Sequence, residues 1–250
     1  MALRASLMIL SAAAGLAFGA SQAVAQTAAT QQPRAVVELF TSQGCSSCPA
    51  ADALFVELAK DPTLIALTLP VTYWDYLGWK DTLGQDSFTK RQKQYSKVRG
   101  DGQVYTPQAV INGVSHAVGS NRAEIDKALK PAPFAARLTL KEEDGALKIA
   151  IAPVAGAAER EAGVWVIATS RTVTVPIGRG ENSGRTVTYA NVVRSLTRVG
   201  DWKGAETTMT APLDSTRAGE SDGYVVLVQT EQPGRYGMMP GAILAAARGR

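Results

Sequence analysis

The hydrophobic pattern of this chain changes character once, at Pro131-Ala132-Pro133, and that change constrains the fold more than any other feature. Before it, strand-length apolar runs alternate with segments of helical period. Ala35 to Phe40 and Leu64 to Tyr73 read as buried strands. Pro49 to Lys60 puts Leu54, Phe55, Leu58 and Ala59 on one helical face, with Pro49 suited to a first turn and Asp61-Pro62 as a stop. Asp86 or Ser87 is expected to cap a second helix bearing Phe88, Gln92, Tyr95 and Val98, ended by Gly100-Asp101-Gly102. Gln108 to Asn112 and Ser115 to Val118 read as strands joined by a tight Asn112-Gly113 turn. Asn121, with Glu124 three residues on, opens a last helix carrying Ile125, Ala128 and Leu129. The order is β-α-β-α-β-β-α. A helix joins the first two strands, which should be parallel, and the Asn-Gly turn makes the last pair antiparallel.

After the break the helical period disappears. Arg137 to Lys141, Leu147 to Pro153, Gly163 to Ser170, Thr186 to Leu196, Glu206 to Thr210 and Tyr224 to Thr230 read as strands separated by turns rich in Gly, Asp or Glu. Residues 135–250 are expected to form a mostly antiparallel β-sandwich, with residues 131–134 as the linker from an α/β domain at 35–130.

The first 25 residues read as a signal peptide. Arg4 supplies the charged start, Leu7 to Ala20 the apolar run, and Ala23-Val24-Ala25 the small-residue cleavage site. The run is shorter than the roughly 20 residues a spanning helix needs, and no later segment reaches that length, so no stable membrane insertion is expected after cleavage. The mature protein is expected in the periplasm or secreted. Gln26 to Arg34 reads as a disordered polar tail. The net charge is +4, or +3 without Arg4, and spread along the chain. No dense basic patch points to nucleic acid.

Only two cysteines occur, in Cys45-Ser46-Ser47-Cys48, between the first strand and the first helix. Backbone N–H groups at a helix start stabilise thiolate, the form that attacks disulfides or binds metal. A Cys-x-x-Cys beside a β-α-β pattern reads as a redox pair, with Cys45 attacking and Cys48 resolving the mixed disulfide. A structural disulfide is the plain alternative, but so short a loop constrains the unfolded chain little. A third is metal capture. His116, the sole histidine, could join Cys45 and Cys48 around copper or another soft metal, or be an ordinary strand histidine. No Ser-His-Asp set or phosphate loop is convincing, and Gly178-Arg179-Gly180 lacks the rest of one.

Tyr105-Thr106-Pro107-Gln108, before the third strand, resembles the thioredoxin superfamily. The resemblance implies a cis Pro107 opposite the cysteines, with Thr106 offering its backbone to an extended substrate. Two features depart from ordinary thioredoxins: Gly44 where many carry Trp, and Ser-Ser between the cysteines. Thioredoxins also carry a buried acid on the first strand that moves the resolving thiol's proton. Glu38 stands one residue further from the cysteines than that acid, so it is either this base or a strand-end glutamate paired with a cation.

The segments Phe40 to Asp52, Tyr73 to Asp81, Tyr105 to Gln108, Arg179-Gly180-Glu181-Asn182 and Asn191-Val192-Val193-Arg194 are similar to the signature of a secreted bacterial family, domain-of-unknown-function family 1223. The resemblance implies a thioredoxin-like domain plus an accessory domain. Trp74, Asp75, Tyr76 and Trp79 either line a substrate groove or seal the sheet edge. Arg179, Glu181, Asn182 and Arg185 form either a solvated loop or a docking loop.

The expectation is an exported thiol–disulfide oxidoreductase. Its catalytic residues are Cys45, Cys48 and Glu38, its substrate-binding residues Thr106, Pro107 and Trp74. Its partners are protein or small-molecule thiols and disulfides, and it needs no cofactor beyond the disulfide. Copper enters only under the metal-binding alternative. A further alternative is a non-catalytic interaction module.

Overall fold

The computed structural model describes residues 32–130, 134–156, 160–235 and 237–249. The expected signal peptide and Pro131-Ala132-Pro133 of the expected linker lie outside the described residues.

The first half forms the expected elements. They are β1 (Ala35–Thr41), α1 (Pro49–Leu58), β2 (Leu64–Pro70), α2 (Asp86–Arg99), β3 (Gln108–Ile111), β4 (Ser115–Val118) and α3 (Arg122–Ala128). β1 and β2 are parallel, while β3 pairs antiparallel with both β1 and β4. Asn112 and Gly113 both turn through positive φ, 49° and 73°, as a two-residue hairpin turn of this hand requires. The Asn121 side chain accepts the Glu124 N–H and caps α3. Gln85, rather than Asp86 or Ser87, is the N-cap of α2, and Gly100 closes the helix at φ 76°.

The second half supplies β5 (Ala136–Glu143), β6 (Ala146–Pro153), β7 (Ala162–Pro176), β8 (Thr186–Trp202), β9 (Thr207–Pro212), β10 (Gly223–Gly234) and β11 (Gly237–Gly249). The expected architecture, an α/β thioredoxin-like domain followed by a separate antiparallel sandwich, is not what forms. Of the described residues, 48% are strand and 18% helix. One mixed eight-stranded sheet, in the order β11-β10-β7-β8-β2-β1-β3-β4, runs through both halves, and β5-β6-β9 form a second, three-stranded sheet.

The junction of the halves explains the difference. β2 is buried at all seven positions, so an open edge beside it would be an aggregation liability. β8 covers that edge in parallel at Thr68↔Val192. Asn191, at φ 46°, donates from Nδ2 to the Ala66 carbonyl at 2.9 Å, and Thr68 Oγ1 donates to the Ala190 carbonyl at 2.7 Å. Burial follows the sheet rather than the break. α1 and α3 cover one face through Val37, Leu39, Phe55 and Ile125. α2 covers the other, where Phe40, Leu67, Phe88 and Tyr95 pack with Ile167, Val193, Leu227 and Ile243 of the second half. The small sheet lays Leu138, Ile149 and Ile151 on Val164, Val226 and Leu244.

Two further corrections concern single segments. Residues 32–34 of the expected disordered tail are held, with Gln32 Nε2 donating to the Leu138 carbonyl at 2.7 Å and Pro33 buried. β11 appears where no strand was expected.

Candidate active site around the Cys45–Cys48 disulfide

Two successive turns carry the chain from β1 into α1. Cys45 N–H bonds the Ser42 carbonyl at 3.1 Å, and Cys48 N–H bonds the Cys45 carbonyl at 3.1 Å. Cys48 is the N-cap of α1 and Pro49 opens its first turn. The two cysteines form a disulfide. Ser46 and Ser47 are exposed, yet Cys45 is 2% and Cys48 0% exposed.

Pro107 approaches α1 from β3. The Thr106–Pro107 bond is cis. A Cβ added at Gly119 would meet Leu39 Cδ1 at 2.7 Å, Pro107 Cβ at 3.0 Å and Ala51 Cβ at 3.2 Å, so only glycine lets these three elements close together. Trp74 donates its indole N–H to Thr106 Oγ1 at 2.7 Å. Its Cβ lies 3.2 Å from where a Gly44 Cβ would stand. Gly44 therefore admits a tryptophan from another segment. Thr106, Pro107 and Trp74, expected at the substrate site, are brought together beside the cysteine loop. Trp79 also braces the loop, donating to Gln43 Oε1 at 2.8 Å.

The second half closes over the motif. Asn182, 1% exposed, donates from Nδ2 to the carbonyls of Gln43 at 2.9 Å and Cys45 at 2.8 Å. Glu181 Oε2 accepts the Ser46 N–H at 3.3 Å. Of the two readings of this loop, docking across the junction is the one that holds.

One helical turn after Cys48 lies Asp52, 2% exposed, its N–H on the Cys48 carbonyl at 3.0 Å. Its Oδ1 accepts the Thr41 hydroxyl at 2.7 Å. Burial raises its pKa to about 8, the Thr41 bond pulls the other way, and Asp81 adds a smaller push upward. Burial likewise raises Asp81, whose carboxylate accepts the Gln43 and Leu83 N–H groups at 2.8 Å each. Tyr189 brings a buried hydroxyl without a hydrogen-bond partner, its pKa raised by burial and then by Asp52 and Asp81. Sequence reading missed Asp52. The signal was present, because Asp52 falls at i+4 from Cys48 and shares a face with the buried Phe55.

A model of the family described as "Protein of unknown function (DUF1223)" matches residues 36–229. The chain belongs to this DUF1223 family. It is 31% identical to protein AGR_C_4864 of Agrobacterium tumefaciens, known from a crystal structure, at a TM-score of 0.75, over 88% of this chain and 95% of that one. HBP35 of Porphyromonas gingivalis shares the fold at a TM-score of 0.57 and 13% identity, over 87% of this chain and 75% of that one. No curated protein matches.

In this DUF1223 chain Glu38 is paired with a cation, the second of its two readings. Arg91 donates to it from Nε at 2.8 Å and Nη2 at 3.3 Å, and Tyr95 donates its hydroxyl to the same carboxylate. Burial works against the Arg91 charge, but Glu38, with Tyr95 and Glu231 adding to it, offsets this and raises the Arg91 pKa. Both carboxylate oxygens are thus committed to a structural ion pair. Nor does His116 join the cysteines. Its Nδ1 meets the Tyr105 hydroxyl at 2.8 Å and its Nε2 lies 3.3 Å from Asp101 Oδ2. Among the described residues, no group of three or more His, Cys, Asp or Glu side chains could hold a metal ion.

Proposed function

We propose that this DUF1223 protein is an exported thiol–disulfide oxidoreductase, with Asp52 rather than Glu38 as the proton carrier of the resolving cysteine. The observation that carries the reading is the placement of Asp52, buried one turn from Cys48 with its N–H on the Cys48 carbonyl at 3.0 Å, where burial pushes its pKa up to about 8. A carboxyl that exchanges its proton near neutral pH, next to a disulfide at a helix start, has the properties that thiol exchange requires.

In the oxidised protein an incoming thiolate bonds to Cys45 Sγ and the Cys45–Cys48 bond breaks. Cys48 leaves with the electron pair and takes a proton from the Asp52 carboxyl. A second substrate thiolate then displaces Cys45. The substrate ends as a disulfide and the protein as a dithiol. In reverse, the Cys45 thiolate attacks a substrate disulfide, and Cys48, its proton accepted by the Asp52 carboxylate, resolves the intermediate. Thr106, Pro107 and Trp74 flank the approach. The disulfide is the redox group and no other cofactor is invoked. The partners are thiols and disulfides of proteins or small molecules, met in the periplasm or outside the cell.

One observation favours a second reading, a non-catalytic interaction module. Both cysteines are almost fully buried. Nothing in the geometry favours the copper alternative.

Exchange between a dithiol and a small-molecule disulfide, followed with purified protein, tests the proposal. Wild type should accelerate it, and Cys45→Ala should fall to the uncatalysed rate. Equal rates for the two proteins would sink the catalytic reading and leave the module.

A further inference from the structure

We propose that the tip of the β7–β8 hairpin, clamped by Asn182, gates Cys45 and selects the substrate: a slight opening serves small thiols, whereas a folded protein surface needs the tip to lift fully. The proposal rests on the redox reading of the pair.

Exchange needs a sulfur to reach Cys45 and form a bond there as the Cys45–Cys48 bond breaks, the electron pair leaving on Cys48. Ser46 and Ser47 reach the surface, whereas Cys45 is 2% exposed. Access therefore requires a neighbour to move. The hairpin tip is the neighbour built to do so. It is closed at its base by Ile177 N–H to the Arg185 carbonyl and Gly184 N–H to the Ile177 carbonyl, both at 2.8 Å. Gly180 and Gly184 take left-handed φ values of 77° and 81°. Residues 178–181 and 183–185 are exposed, and only Asn182 turns inward.

The clamp is local. Asn182 Nδ2 donates to the Gln43 and Cys45 carbonyls, and Glu181 Oε2 accepts the Ser46 N–H. The other end of the same amide, Asn182 Oδ1, is buried without a partner. A stranded buried acceptor costs about as much as ordinary neutral hydrogen bonds return, so the clamp holds the tip without locking it. The Cys45 carbonyl that Asn182 grips belongs to the attacking residue itself, so release of the tip and full exposure of Cys45 are coupled. Asn182 is a positioning residue in this scheme and touches no reacting sulfur.

Stopped-flow reduction of the pair by dithiothreitol and by reduced thioredoxin, a folded dithiol protein, tests this. Asn182→Ala should raise the thioredoxin rate about tenfold relative to the dithiothreitol rate, because lid opening then limits the larger reductant less. Glu181→Ala changes an exposed side chain with no folding role and should move the same ratio in the same direction, by about threefold. An unchanged ratio in both variants, with the pair still reducible, overturns the cover and leaves the redox reading intact. A wild-type pair that resists both reductants overturns the redox reading and the cover with it.

Discussion

Glu38 and Asp52 lie on successive elements of the chain, β1 and α1, both almost fully buried, and their surroundings are opposite. Glu38 meets a guanidinium and a phenol, and Arg91 and Tyr95 are tied in turn to Gln229 of β10 by bonds of 2.9 and 2.8 Å. Asp52 has the Thr41 hydroxyl and an unfavourable neighbour in Asp81. A compensated carboxylate pins two halves of a molecule together. An uncompensated one keeps its proton and can give it away. Burial alone does not distinguish structure from chemistry; the partner does.

The comparison breaks most completely if Glu38 loses its cation. Arg91→Ala leaves a buried carboxylate with a phenol as its remaining donor and should cost about 3–5 kcal/mol of unfolding free energy. Urea unfolding measures it. A loss below about 1 kcal/mol would mean that Tyr95 alone supports the charge, and the contrast with Asp52 would fail.

Asp52→Asn sharpens the comparison from the other side. The folded pKa, about 8, lies above the ordinary value of 3.8, so the folded state holds a proton that the unfolded chain releases. Stability present below pH 4 is therefore lost as pH rises, by up to about 1.4 kcal/mol per unit, and the loss is complete once pH passes about 8. Wild type should show this slope in urea unfolding at pH 5, 7 and 9, and the asparagine variant should be flatter by that amount. Without the proton carrier, thiol exchange should slow by about 10²-fold, the low end of what general acid–base catalysis contributes. Identical slopes in the two proteins would remove Asp52 from the mechanism.

The same contrast explains what the sequence could reveal. Elements up to residue 130 announce themselves because each rests on local signals: the Asn112-Gly113 turn, the Asn121 cap, the Gly100 stop. Cys45 and Cys48 were legible for the same reason, since their spacing and the following Pro49 are local. Glu38 was visible as a buried acid, but its partner Arg91 lies 53 residues away and Gln229 still further. Asp52 is hidden in a helix whose apolar spacing points to Leu54, Phe55, Leu58 and Ala59, whereas Ala51, Asp52, Phe55 and Leu58 turn inward. The union of the two halves is fixed by Asn191 and Thr68, whose side-chain bonds reach partners 125 and 122 residues away. β11 is rich in Gly, Ala and Met, residues of modest strand propensity, and exists because β10 offers it an edge. Asn182 lies in what reads as a solvated loop, and only the path of β7 and β8 brings it to Cys45.

The smallest change probes the least protected feature of Asp52. Thr41→Val keeps the shape of the side chain and removes the hydroxyl that Asp52 accepts at 2.7 Å. That bond favours the ionised carboxylate, so its loss should push the Asp52 pKa above its present value of about 8. A neutral hydrogen bond contributes about 1 kcal/mol net, which sets the scale at somewhat under one pH unit. The pH midpoint of thiol exchange should move upward by that amount, and Asp52→Asn should abolish the shift in the double variant. Removing Gln229, one step beyond the Glu38–Arg91 pair, should leave the exchange midpoint where it is. A midpoint unmoved by Thr41→Val would mean that the titrating group controlling exchange is not the Asp52 carboxyl.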